Sequence, residues 1–166
     1  MKNALLALAA AAVVGACGTD GPTAPTPART ENGGGVATAM AFPDQQNGGR
    51  LLTADMIGAN EAPVTGDPDG HGTARFTLNP GLEQVCFALE VTGIEPARAA
   101  HIHVAPAGQP GPIVVPLTAP TSGSSSGCVT ASRDLILAIM QDPGAYYVNV
   151  HNQPFPGGAL RGQLSK

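Results

Sequence analysis

The sequence predicts an all-β domain, a Greek-key β-sandwich or barrel with one short helix. Gly contributes 22 and Pro 16 of the 166 residues, which is typical of a chain with many turns. Charged residues make up 12%, whereas globular domains average about a quarter. About eight short segments have the apolar pattern of strands, and one has helical spacing. The length favours a single domain.

The first residues have the pattern of a secretory signal. A basic residue is followed by an apolar run at residues 4–14, which is too short to span a bilayer comfortably. The run ends in VGAC, which resembles the lipobox of bacterial lipoproteins, where the cysteine is acylated and becomes the mature N-terminus. We predict a lipoprotein signal peptide at residues 1–16 and lipidation at Cys17. An ordinary exported protein with a stray cysteine is the alternative.

Lipidation would place the protein on the bacterial cell envelope, with the membrane as a partner through the N-terminal lipid. Gly18, rather than Asp, follows the cysteine, which favours the outer membrane in a bacterium with two membranes. Residues 17–49 are rich in Pro, Gly and Thr without a period, and we predict a flexible tether. Within it, residues 36–42 (VATAMAF) could add a strand to the domain.

The compact domain is predicted at residues 50–166. In GTARFTLNP, for example, Ala74, Phe76 and Leu78 alternate with polar residues, as in a half-buried strand. Residues 121–127 (TSGSSSG) are predicted to form a flexible loop. The strand candidates are residues 51–59, 72–80, 83–94, 99–105, 111–117, 127–131, 146–151 and 158–164.

One segment, residues 132–143, has helical rather than strand periodicity. Ser132 is suited to cap its N-terminus, and Pro143 ends it. Its apolar residues recur at helical spacing and are Leu135, Ile136, Ile139 and Met140.

Two cysteines remain after the lipidation site, Cys86 and Cys128. Because export implies an oxidising compartment, we predict that they form one disulfide. A catalytic thiol or a metal thiolate is the alternative, but neither cysteine belongs to a CxxC pair.

Three of the four histidines lie in two strand candidates. In AAHIHVA, His101 and His103 share one face; in YYVNVHN, Asn149 and His151 share one face. The valines and isoleucine of these strands would face the core, so the histidines would lie on the outside of the sheet. If the strands are neighbours, His101, His103 and His151 form a three-nitrogen site for copper or zinc.

The alternative is that these histidines are surface groups that hydrogen-bond to nearby loops. His71 lies in a predicted turn, and we do not expect it to complete the site. Asn149 and Arg161 are expected to line the same patch. Arg161 could guide anions to a metal, but we favour pairing with a carboxylate.

The domain resembles the CHRD domain, first described in chordin and found in many bacterial exported proteins. Four segments carry the resemblance, and HIH and NVH…RGQL are the most specific parts. They are AAHIHVAPAGQPGPIVVPL, YYVNVHNQPFPGGALRGQL, GTARFTLNP and VCFALEVTGI. The resemblance implies an immunoglobulin-like β domain with a binding or structural role at the envelope, and an extracellular protein or matrix component as partner.

A more distant resemblance is to Cu/Zn superoxide dismutase, also a Greek-key β-barrel. On that comparison His101, His103 and His151 match three copper ligands. The chain has no convincing fourth histidine ligand and no zinc loop rich in His and Asp, so we favour a non-enzymatic protein over a redox enzyme. Nucleic acid is excluded as a partner because the net charge is −4 and only two lysines occur.

Overall fold

The structure is a computed structural model that describes residues 49–166. The predicted signal peptide, Cys17, the tether up to residue 48 and the strand candidate at residues 36–42 lie outside the described residues. Within the described part, no helix is long and apolar enough to cross a membrane. The elements are β1 (Arg50–Ile57), β2 (His71–Asn79), β3 (Gln84–Thr92), β4 (Ala99–Val104), β5 (Ile113–Leu117), β6 (Ser124–Thr130), α1 (Arg133–Gln141), β7 (Tyr146–His151) and β8 (Leu160–Gln163).

The eight strands form one antiparallel sheet in the order β5-β4-β7-β8-β1-β2-β3-β6. The β3–β6 and β4–β7 pairings each skip two strands, which is the Greek-key feature. The two edge strands approach each other, and the Ser125 hydroxyl donates to the Thr118 carbonyl across the gap at 2.7 Å. The result is a nearly closed, barrel-like sheet, so the predicted all-β class is confirmed.

The core lies on the concave side of this sheet. Alternation along each strand places one apolar set inside, as the sequence predicted. Ile136 and Ile139 of α1 are fully buried in the same core. Ser132 caps that helix, because its side chain accepts a hydrogen bond from the Leu135 backbone N–H. The strands contribute Leu52, Met56, Phe76, Leu78, Val85, Phe87, Leu89, Ile102, Val148, Val150 and Leu160, among others.

The predicted disulfide is present and joins the two strands at one end of the sheet order. Cys86 on β3 lies directly opposite Cys128 on edge strand β6, and their sulfurs are bonded. One prediction nearby is wrong: β6 starts at Ser124, so Ser124–Gly127 is strand rather than loop. These small residues pair with Phe87–Glu90 of β3. Backbone hydrogen bonds to β3, rather than an alternation of apolar side chains, keep them in the strand.

Candidate metal site

The site begins with the pairing of β4 and β7, which are neighbours as the prediction required. Alternation places Ala100 and Ile102 of β4 in the core and turns His101 and His103 to the convex side. The register sets His101 opposite Asn149, so that His151 lies diagonally across from it. The two strands therefore carry all three histidines on one side of the sheet.

The three imidazoles form a compact cluster. The ring centroids of His101 and His103 are 5.7 Å apart, and those of His101 and His151 are 5.3 Å apart. One nitrogen from each ring lies within 4.8 Å of the others. A tetrahedral ion with metal–nitrogen bonds of 2.0–2.1 Å needs nitrogens about 3.3 Å apart. The nitrogens would therefore have to approach one another by up to about 1.5 Å to hold an ion.

The cluster is more enclosed than the sequence suggested. We expected an outer surface patch, but His103 is only 8% exposed, Asn149 3% and Arg161 1%. The loops that follow β4 and β7 contact these side chains from the convex side, through the carbonyls of Gly111 and Pro156 among others. The residues thus lie outside the barrel but beneath a layer of loops.

Two ring nitrogens of the cluster are buried without a hydrogen-bond partner. His103 Nδ1 donates to the Gly111 carbonyl at 2.8 Å, so the neutral ring keeps a lone pair on Nε2. That Nε2 has no partner, and neither has His101 Nδ1. Buried polar atoms are usually satisfied, so these two nitrogens are available to a ligand or to an ordered water.

His151 is oriented by the loop that follows it. Its Nδ1 donates to the Pro156 carbonyl at 3.0 Å, which directs Nε2 towards the cluster. Nε2 lies 3.1 Å from Asn149 Oδ1, and a neutral ring with its proton on Nδ1 is satisfied there only when the amide turns its NH2 group towards it. In metal-binding histidines, one ring nitrogen commonly donates to a backbone carbonyl in this way, and the other nitrogen binds the ion.

The electrostatics keep two of these rings neutral. Burial lowers the pKa of His101, and the neighbouring His151 and His103 lower it further. Burial also lowers the pKa of His151, against a hydrogen bond to Pro156 that raises it. Neutral imidazole is the form that binds a metal, so these two ligands need not lose a proton at neutral pH.

A stack of three side chains supports His103. The ring centroids of His103 and Tyr147 are 4.7 Å apart, and the two ring planes meet at an angle of 11°. The Arg161 guanidinium carbon lies 3.5 Å from the centroid of the Tyr147 ring. The Tyr147 hydroxyl accepts a hydrogen bond from the Gly111 N–H at 3.2 Å. Because Gly111 also accepts from His103, the stack and the loop fix the ring together.

Arg161, expected to line the patch, is buried and bonded mainly to the loop backbone. Its guanidinium donates to the carbonyls of Pro106 and Gln109, each at 2.9 Å, and to Gln163 Oε1 at 3.1 Å. These bonds go to carbonyl oxygens rather than to a carboxylate. The carboxylate that interacts electrostatically with Arg161 is Glu61.

Glu61 is a member of the site that sequence reasoning missed. It follows a 3-10 turn at Gly58–Asn60, is 8% exposed, and its Oε1 has no hydrogen-bond partner. Burial raises its pKa to about 7, although Arg161 and a side-chain hydrogen bond with Asn149 oppose the rise. No motif marks this residue, because its burial depends on contacts with distant loops.

The predicted residues therefore separate into one cluster and two isolated features. His101, His103 and His151 come together, with Asn149 beside them and Arg161 behind Tyr147. His71 is exposed at the start of β2, rather than in the turn predicted for it, and is not a member of the cluster. The Cys86–Cys128 disulfide lies on other strands. The cluster offers three nitrogen ligands and leaves a coordination position open.

Comparison with protein families found a match to the CHRD domain over residues 52–164. Comparisons with curated proteins and with solved structures found no match. The family match covers every strand from β2 to β8 and all but the first residues of β1, including the three histidines.

Proposed function

The chain belongs to the CHRD domain family, and from that premise we propose that it is an exported, lipid-anchored protein whose domain binds one copper or zinc ion. His101, His103 and His151 are the ligands in this proposal. One observation carries it: two buried ring nitrogens, His103 Nε2 and His101 Nδ1, lie unpartnered in a cluster of three imidazoles. Leaving them so costs free energy, which a bound ion would recover.

The ligand type limits the choice of ion. Imidazole nitrogens suit zinc and copper, whereas calcium and magnesium need oxygen ligands. Three protein ligands with a fourth position open are typical of sites where water or a small ligand completes the shell. The proposal is therefore a metal-binding role, with no reaction assigned to the open position.

The anchoring part of the proposal is supported by the sequence alone. Residues 14–17 resemble a lipobox behind an apolar run, and a Pro/Gly/Thr-rich stretch follows. Lipid attachment is tested by mass spectrometry of the N-terminal peptide from the membrane fraction, beside Cys17→Ser. An acylated peptide that is lost in the variant is expected. An unmodified cysteine would contradict the proposal.

Metal binding is tested by calorimetry on the chelator-treated full chain, titrated with copper(II) and zinc(II). One ion per chain is expected, with affinity at least about 100-fold weaker in the His101→Ala/His103→Ala variant. His71→Ala is the matched control, because that histidine lies outside the cluster, and it should bind like the unmodified chain. Equal losses in both variants would contradict the assignment.

The prediction of an extracellular protein or matrix partner also remains. If the unmodified chain binds no ion above the double variant, the histidines support the loops, and the partner-binding role becomes the proposal. A pull-down with the chain against an extracellular fraction would then be the next step.

A further inference from the structure

The buried carboxyl of Glu61 lies next to the proposed metal site. Glu61 is linked by hydrogen bond to the Asn149 side chain, and Asn149 Oδ1 lies 3.1 Å from His151 Nε2. The Asn149 amide thus bridges the buried carboxyl of Glu61 and a ring nitrogen of the histidine cluster. Glu61 itself does not belong to the ligand cluster.

We infer that Glu61 is a proton-linked positioning residue of the metal site, which acts through the Asn149 amide and releases its proton to solvent when an ion binds His151. The inference rests on the proposed function, since it needs an ion at the cluster. It concerns a residue that neither the family match nor the sequence motifs single out.

The bridging amide can satisfy its neighbours in two orientations. In one, which is the orientation in this structure, its NH2 group faces Glu61 and its oxygen faces His151, and this suits an ionised carboxylate and a ring that carries a proton on Nε2. In the other, a protonated Glu61 donates to the amide oxygen, and the NH2 group donates to the lone pair of a neutral His151 ring. The second orientation leaves neither Glu61 nor His151 charged.

Without an ion, the second arrangement is favoured below about pH 7, and it requires a half-turn of the Asn149 amide, whose oxygen faces His151 in this structure. Burial raises the pKa of Glu61 to about 7 and lowers that of His151, so the proton of the triad resides on the carboxyl. The described charged group that acts on Glu61 is Arg161 of β8; Asn149 of β7 and the backbone of Ala62 are its neutral hydrogen-bond partners.

Ion binding removes the acceptor on which this arrangement depends. Once its Nε2 lone pair is engaged, His151 no longer accepts from the amide, and the NH2 group turns to Glu61. A carboxylate accepts that bond better than a carboxylic acid does, and the nearby positive charge favours it further. The balance is one dication bound and one carboxyl proton released, with no electrons transferred.

The proton has a route to water on the side away from the histidines. A cavity of about 410 Å³ is bordered by Glu61, Asn60, Gly108, Arg161 and Gln163, with Ala59 and Ala107. Water that enters this cavity meets the carboxyl without passing the three histidines, none of which borders it. Glu61 therefore lies between this cavity and the amide that bridges it to His151.

The experiment counts protons released per zinc ion. The full chain is titrated by calorimetry at about pH 6.5 in buffers of different ionisation enthalpy, beside Glu61→Gln and the matched control Glu90→Gln, an exposed carboxyl on β3. Glu61→Gln is expected to bind zinc but to release fewer protons than the unmodified chain, by up to roughly three quarters of a proton for a pKa of about 7. Glu90→Gln should release as many as the unmodified chain.

A second measurement needs no variant. Infrared spectra of the unmodified chain, labelled with ¹³C-glutamate, should show a protonated carboxyl band that disappears when zinc is added. Equal proton release with and without Glu61, or a band that zinc leaves unchanged, would overturn the inference while leaving the metal site in place. Absence of zinc binding in the unmodified chain would overturn both.

Discussion

Gly158 lies directly against the carboxyl of Glu61, in the loop between β7 and β8. A Cβ atom at position 158 would be 2.3 Å from Glu61 Cδ and within 2.5 Å of both carboxyl oxygens. The φ angle of Gly158 is +146°, which side chains rarely adopt. The loop that covers the histidines can therefore close only because residue 158 has no side chain.

Gly158→Ala is expected to destabilise the chain by roughly 2–4 kcal/mol, because it adds backbone strain and displaces a buried carboxyl. The measurement is urea denaturation. Gly157→Ala is the matched control, since a Cβ there meets nothing within 4 Å. Equal free energies of unfolding for the two variants would show that the contact with Glu61 does not constrain the loop.

Glu61 is expected to give the free energy of unfolding a distinct pH dependence. Its pKa is raised from 4.5 to about 7, so the folded chain holds a proton that the unfolded chain has lost between these values. The contribution is fully present below pH 4.5 and is lost as the pH rises towards 7, by roughly 3 kcal/mol.

This dependence is checked by denaturation from pH 4 to 8 in Glu61→Gln, with Glu90→Gln as the control. Subtracting the unfolding free energies of Glu61→Gln from those of the unmodified chain at each pH should isolate the decline in stability that Glu61 causes. A flat difference would mean that the carboxyl titrates normally in the folded protein.

Arg161 is expected to be irreplaceable by lysine. Its planar guanidinium donates to the carbonyls of Pro106 and Gln109 and also stacks on the Tyr147 ring. A lysine ammonium group cannot make all three contacts at the same time. Arg161→Lys should lower the free energy of unfolding by roughly 2–4 kcal/mol. Arg98→Lys, at an exposed arginine bonded to Gln153, should cost well under about 1 kcal/mol. Similar losses of unfolding free energy in the two variants would show that the two-carbonyl hydrogen bonding of Arg161 does not stabilise the fold.

The sequence was a good guide where structure depends on local pattern. Alternation placed Ile102 and Val150 inside and His101 and His151 outside, because the faces of a strand follow from position alone. The helix after Ser132 was predictable because its N-cap and its apolar spacing are also local patterns. The matching faces also indicated the histidine cluster, once β4 and β7 were assumed to pair.

Features that depend on distant contacts were not predictable from these patterns. The serines of β6 lack apolar alternation, and their strand forms because β3 offers a paired ladder. The burial of Asn149 and Arg161 comes from loops folding over the sheet, which strand periodicity does not report. Glu61 joins the site through Asn149, 88 positions away in the chain, and through Gly158.

The histidines should give a pH dependence opposite in sign to that of Glu61. Burial lowers the pKa of His101 below 6.5 in the folded chain, so the unfolded chain binds a proton first as the pH falls. Its contribution is present above pH 6.5 and is lost as the pH falls below that value, and the partial exposure of the ring keeps this loss small. His101→Gln should reduce the acid-side loss of stability measured by denaturation from pH 7 to 5. His71→Gln controls for the loss of a histidine elsewhere, and an acid-side loss unchanged by His101→Gln would show that the cluster does not hold this ring neutral.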